Sequence, residues 1–218
     1  AGFIGCEAAA TATKLGATVT VVGKGPVPML RPLGQQLAED IQRRHEAHGV
    51  RFVMNTYLTE ILGDDSVTGV VLDNGETLEC DVLIESIGSL PNTEFLEGND
   101  IDIDSGVHVN SALHALRKDG TPWSNVFAIG DVARFPIPQF DPTTRRVEHW
   151  NIPTEMARKV GKQVALQLGD DVEAHAAEVA KNFAPIPSFW SDQFEVSLLA
   201  YGLLDQGQEV RLLEGEVG

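Results

Sequence analysis

The sequence predicts an alternating α/β fold with parallel-sheet character that ends in a small α+β tail. Three observations carry this expectation. A Gly2-Phe3-Ile4-Gly5 turn opens a helix, helix and strand patterns alternate through residue 54, and an apolar run at 126–129 leads into Gly130-Asp131.

Ile4, Ala8 and Leu15, with alanines between them, give the first helix a small-residue face, and Gly16 takes the usual C-terminal glycine position. Residues 18–22 then read as a buried strand. A second amphipathic helix is expected from about residue 33 to 48, with Leu37 and Ile41 on its inner face and Gly49 closing it. A strand over 50–54 follows, which completes the alternation of a parallel sheet. Three extended segments come next, over 57–62, 67–72 and 76–80. Asp73-Asn74-Gly75 is a strong hairpin signal, so these predict an antiparallel meander. Residues 82–87 read as a return to buried strand, and Gly88 with Pro91-Asn92 marks a crossing out of the domain.

Beyond that crossing, 107–109 and 126–129 are expected to be short strands, with Gly130-Asp131 at the carboxyl end of the second. Binding crevices of open α/β sheets lie at such strand ends. A proline-rich loop over 135–142 leads to Arg145-Arg146-Val147-Glu148-His149-Trp150 and then to a helix over 154–168. Pro185 and Pro187 mark a second boundary. The remainder alternates like strands at Phe194, Val196 and Leu198, and again at Val210 and Leu212.

A formal charge of −16 excludes nucleic acid and an anionic membrane surface as partners, because both need a basic footprint. The acidic residues, among them Asp64, Asp65, Glu76 and Asp100, are dispersed and read as solvated faces. Cys6 and Cys80 are too few and too far apart for a C-x-x-C pair, a zinc site or a disulfide framework. No metal cluster or Ser/His/Asp arrangement stands out among the six histidines. A reducing, cytoplasmic setting is expected, and no run approaches the roughly 20 apolar residues of a membrane helix. Ala1 falls in mid-motif, so a preceding segment is expected.

The opening residues match the second and third glycines of a G-x-G-x-x-G turn. Gly2 would let the backbone of Phe3 and Ile4 approach a pyrophosphate, Gly5 would allow close helix–strand packing, and the helix start would hold the phosphate charge. The alternative is a glycine-permitted packing turn. A ribose-binding acidic residue is expected roughly 20 residues further on, yet Gly23 stands there. Lys24, with Arg31 nearby, would suit a 2′-phosphate and leans towards NADPH. Lys24 reads equally well as a solvent-facing side chain, so the choice of nicotinamide cofactor stays open. At Gly130-Asp131, one carboxylate beside a glycine suits acceptance of hydrogen bonds from a polyol.

Taken with residues 127–133, Arg145 to Trp150 and Pro187-Ser188-Phe189-Trp190-Ser191-Asp192-Gln193, the opening motif resembles the rubredoxin, putidaredoxin and dioxygenase ferredoxin reductases, with apoptosis-inducing factor as a relative. The resemblance implies Rossmann-like FAD- and NAD(P)-binding domains with a small α+β C-terminal domain. On that basis 1–90 is the NAD(P)-binding domain without its first strand, 91–183 the closing segment of the FAD-binding domain, and 184–218 the start of the interface domain. The upstream FAD-binding half is expected to precede this chain, which alone would bind FAD poorly.

By the same resemblance, Glu7 helps place the nicotinamide carboxamide, Gly88 lies at the domain crossing, and Gly130 and Asp131 bind the ribitol of FAD. Glu148, His149 and Trp150 line the flavin and nicotinamide side, while Phe189 and Trp190 close over it. For the two tryptophans a core position is the competing reading. The implied activity is hydride transfer from NAD(P)H to FAD and electron transfer to a ferredoxin- or rubredoxin-type carrier. Arg134, Arg145, Arg146, Arg158, Lys159 and Lys162 are candidate docking residues for that carrier, unless neighbouring carboxylates pair with them. An NAD(P)H oxidase or redox sensor like apoptosis-inducing factor is the second reading, and a nucleotide-binding regulatory domain without turnover the third. Homodimer formation is left open.

Overall fold

The computed structural model describes residues 1–204, 207, 209, 211 and 213–215; the alternation at Val210 and Leu212 lies outside the described residues. The chain divides into two compact units. One is built from Ala1–Gly88 with Trp190–Leu199, the other chiefly from Ser89–Phe189.

In the first unit, helix α1 (Phe3–Lys14) leads to strand β1 (Thr20–Gly23), helix α2 (Leu30–Ala47) and strand β2 (Arg51–Met54). β1 and β2 pair in parallel, Thr20 opposite Arg51 and Gly23 opposite Met54. Parallel neighbours need a crossover, and α2 provides it. Small residues let α1 lie close on this sheet: Ala9 packs with Val21 and Val50, while Cys6 packs with Met29 and Ile41. The inward stripe of α2 is Ala38, Ile41 and His45, at helical spacing. Leu37, predicted to face inward, is instead 37% exposed, because it sits about 100° round the helix from Ala38.

The predicted meander is present as β3 (Leu58–Leu62), β4 (Gly69–Leu72) and β5 (Thr77–Glu79), in that order across an antiparallel sheet. Its tight turn is closed by Leu72 N–H donating to Glu76 O at 2.9 Å. The strand predicted over 82–87 is absent. Val82, Ile84 and Ile87 are exposed, and among the described residues no strand pairs with them. Alternating apolar residues become a strand only where a ladder neighbour completes their backbone bonds.

In the second unit, β6 (Val107–His108) pairs in parallel with β9 (Ala133–Ile137), and β9 pairs antiparallel with β10 (Asp141–Arg145). The predicted proline-rich loop over 135–142 is therefore a hairpin. Pro136 lies beyond the residues of β9 that pair with β6 and opposite Thr144 beside a register shift, where a missing backbone N–H is tolerated. β7 (His114–Leu116) pairs antiparallel with β8 (Pro122–Phe127). Gly130-Asp131 thus follows an antiparallel strand, not the parallel strand of an open sheet. The turn runs on into β9.

Helix α3 (Asn151–Leu168) inserts Ile152 and Met156 into this core, and α4 (Val172–Val179), which the sequence pattern did not indicate, packs on α3. Asp171 caps α4 by accepting from Ala174 N–H at 3.0 Å. Strands β11 (Ser188–Gln193) and β12 (Val196–Tyr201) form a two-stranded sheet, in keeping with the predicted tail.

Burial lowers the imidazole pKa of His45, His114 and His149. A group whose folded value lies below its unfolded one takes up its proton later when folded. Its stabilising contribution is therefore complete above the unfolded value of about 6.5 and is lost as pH falls through the lower folded values. The thermal midpoint should fall on acidification from about pH 7.5 to about pH 5.5, and His114→Gln should flatten that fall. An unchanged slope in the variant would show that this imidazole is not a source.

Candidate functional site

The first unit places its glycine turn at the carboxyl end of β1. Gly2 is the N-cap of α1, with no side-chain cap and no acidic residue in the first turn. First-turn amides of an uncapped helix are available to an anion, reinforced by the helix dipole. A Cβ at Gly2 would meet nothing within 4 Å, so the fold itself does not demand glycine there and a phosphate can approach the backbone. At Gly5 a Cβ would come 3.7 Å from Ser86 Cβ, an ordinary packing contact.

Gly23 has a different cause. A Cβ there would lie 2.8 Å from Ala1 Cβ and 2.9 Å from Met54 Cε, so a side chain in place of the expected acidic residue would have to displace Ala1 and the end of Met54. The exposed Lys24 ammonium sits 4.9 Å from the centre of the Tyr57 ring. Glu7 is half-buried one turn along α1, and its Oε1 accepts from Ser191 Oγ at 2.5 Å. Cys6 is fully buried, and burial pushes its thiol pKa up to about 11. With Cys6 and Cys80 both free, the described residues hold no cysteine pair.

The second unit gathers residues far apart in sequence around a cavity of about 300 Å³, lined by Ser89, Leu90, Pro91, Asn92, Asp131, Val132, Arg146 and Glu148. Gly130 turns into it with φ of +78°, a backbone region that favours glycine, and its N–H meets Met156 Sδ at 3.2 Å. The exposed Asp131 carboxylate has no hydrogen bond among the described residues.

Glu148 is held on both sides. Ser89 Oγ lies 2.6 and 2.7 Å from its two oxygens, and Arg146 Nη1 donates to it at 2.5 Å. Arg146 also donates to Ser89 O at 3.2 Å and Asp131 O at 3.4 Å. His149 stacks obliquely on Phe189 with centroids 5.2 Å apart, and its buried Nδ1 has no partner. Neither Trp150 nor Trp190 is a core side chain, at 80% and 57% exposed. Gly88 adopts φ of +106° just before the cavity segment.

Several predicted docking cations are engaged locally. Arg134 pairs with Asp102, Lys162 with Glu178, and Lys159 donates to Lys181 O. Arg146 lines the cavity and pairs with Glu148. Sequence reasoning missed Ser89 and Arg146 as partners of Glu148, and Ser191 as the partner of Glu7. Their separations in the chain, 59 and 184 residues for the two serines, leave no local signal.

The family model described as pyridine nucleotide-disulphide oxidoreductase matches residues 1–157. The chain belongs to this family. Rhodocoxin reductase of Rhodococcus erythropolis is 30% identical over 218 residues, covering all of this chain and 46% of that protein. Apoptosis-inducing factor 3 of Homo sapiens is 28% identical over 218 residues, covering 33% of that protein. The solved ferredoxin reductase for the CYP199A2 system from Rhodopseudomonas palustris is 37% identical, with a TM-score of 0.77, covering 93% of this chain and 46% of that one. These relatives bear out the resemblance read from the motifs. The chain spans less than half the length of these relatives. Among its described residues no group of His, Cys, Asp or Glu could hold a metal, and no helix is long and apolar enough to cross a membrane.

Arg146 is 17% exposed and bridges three groups. Arg146→Ala should cost about 2 kcal/mol in denaturant unfolding, as loss of charge-assisted bonds predicts. Arg146→Lys should not restore it, since an ammonium lacks the planar fork that reaches several acceptors.

Proposed function

We propose that the protein containing this chain is an FAD-dependent NAD(P)H oxidoreductase that passes electrons to a ferredoxin- or rubredoxin-type carrier. The observation that supports this most is the uncapped start of α1, open at Gly2 and set at the carboxyl end of β1. Here the backbone of Gly2, Phe3 and Ile4 would receive the cofactor's pyrophosphate, and Glu7 would hold the nicotinamide carboxamide. Lys24, which follows Gly23 at the strand end, would meet a 2′-phosphate where the cofactor is NADPH.

In the second unit the unengaged Asp131 carboxylate would accept from the ribitol hydroxyls of FAD, with the Gly130 backbone alongside. Glu148 is already satisfied by Ser89 and Arg146, so it contributes a fixed charge. Its companions on the isoalloxazine side within this unit would be His149, Trp150 and Phe189. Burial lowers the His149 imidazole pKa, against the opposing pull of Asp131 and Glu148. When bound, FAD supplies the exchange between hydride and single-electron chemistry, and the protein supplies orientation and electrostatics. Gly88 would serve as a turn between the nucleotide-binding domains. A reducing cytoplasmic setting is the simplest for an enzyme with two free cysteines.

A second reading follows from the likeness to apoptosis-inducing factor 3, with oxygen or a quinone accepting the electrons. The test uses the complete protein without oxygen. NADH or NADPH should bleach its flavin, and turnover with a ferredoxin should exceed turnover with oxygen. Failure to bleach with either cofactor would favour a regulatory nucleotide-binding domain. Asp131→Ala should weaken flavin retention about tenfold, the scale of one lost charge-assisted bond; unchanged retention in equilibrium dialysis would remove Asp131 from the site.

A further inference from the structure

Within the first unit a line of buried polar groups runs from α2 to the start of α1. His45, 1% exposed, meets Gln193 Oε1 through Nε2 at 2.9 Å. Gln193 Nε2 donates to Ser191 Oγ at 2.9 Å, and Ser191 Oγ donates to Glu7 Oε1 at 2.5 Å. Ser191 and Gln193 are buried on one face of β11, at 0% and 1% exposed.

One arrangement of protons satisfies all three bonds. An ionised Glu7 only accepts, so the Ser191 hydroxyl donates to it. The Ser191 oxygen then accepts from the Gln193 amide, and the Gln193 carbonyl accepts from His45 Nε2–H. Every donor points towards the carboxylate. The line ends on His45, whose Nδ1 has no partner and whose ring is flanked edge-on by Phe52 and Phe194.

Burying three polar side chains costs desolvation and returns little net stability compared with apolar residues of similar shape. Ending the line on a half-buried carboxylate, beside an open helix start, gives it a use. We propose that Ser191, backed by Gln193, is a positioning residue that fixes the Glu7 carboxylate for the nicotinamide end of the cofactor. This rests on the reading of Glu7 under the proposed function.

The test is equilibrium binding of NAD⁺ and NADP⁺ to the complete oxidised flavoprotein by titration calorimetry, with Glu7→Ala, Ser191→Ala and the double variant. Ser191→Ala should weaken binding of the preferred nucleotide about tenfold, the scale of a bond to a charged acceptor. In the Glu7→Ala background the same change should matter less than about twofold, since a residue acting through Glu7 has nothing left to position. Gln193→Met, which cuts the line one link back, should show a smaller loss that likewise vanishes without Glu7. It carries the cycle if Ser191→Ala does not fold. Equal losses in both backgrounds would mean a structural role and overturn the proposal, as would parental affinity in Ser191→Ala. If Glu7→Ala itself binds like the parent, the reading of Glu7 falls first and the inference falls with it.

Discussion

The first unit turns on a helix start that no side chain caps. Amides in the first turn of α1 lack intrahelical partners, and the dipole adds partial positive charge where they point. Ala1 is tied down by Met29 N–H donating to its carbonyl at 3.0 Å, which fixes the chain entering the turn. That fixed entry crowds the end of β1, where a Cβ at position 23 would press on Ala1 and Met54. Ala1, Gly23 and Met29 thus meet around the uncapped helix start. The chain as a whole carries a net charge of −16. A diphosphate would gain little from long-range attraction to such a chain, so its binding there would depend on short-range, directed backbone donors, which salt screens less.

The second unit handles a different chemistry with carboxylates. Asp131 and Glu148 line the same cavity, yet their surroundings separate their roles. Ser89 and Arg146 engage Glu148, which turns it into part of the wall. Arg146 reaches only the backbone carbonyl of Asp131, leaving that side chain unengaged. A free acceptor beside a glycine turn suits hydroxyl donors, whereas an ion-paired carboxylate gives shape and a charge fixed in place.

Local patterns were legible in the sequence and neighbours were not. The hairpin at 73–75 and the closing of α2 near Gly49 follow from turn and cap chemistry, which a short window contains. The absent strand at 82–87 and the hairpin at 135–142 depended on which segment lies alongside, and period-two patterning does not name a partner. Leu37 shows the same limit at finer scale, since apolar character alone did not reveal that the buried stripe ran through Ala38 and His45. In the site, Gly2, Gly5 and Asp131 announced themselves through motif spacing. Arg146 and Ser191 did not, because an arginine in an Arg-Arg pair or a serine on a strand has no distinguishing neighbour in sequence.

The tail illustrates how much one register decides. Along β11, Trp190 and Asp192 face outward while Ser191 and Gln193 face the core. Asp192 is held there by Ser197 Oγ at 2.6 Å, and the core-facing pair is held by Glu7 and His45. Successive strand residues alternate faces, so a slip of one residue would bury Trp190 and Asp192 and expose the polar line. Burying Asp192 without a cation would be costly, and the Glu7 carboxylate would lose its donor. The charged and aromatic residues of the outer face therefore protect the register that the inner face requires, and the polar bonds of the inner face fix which way the tryptophan points.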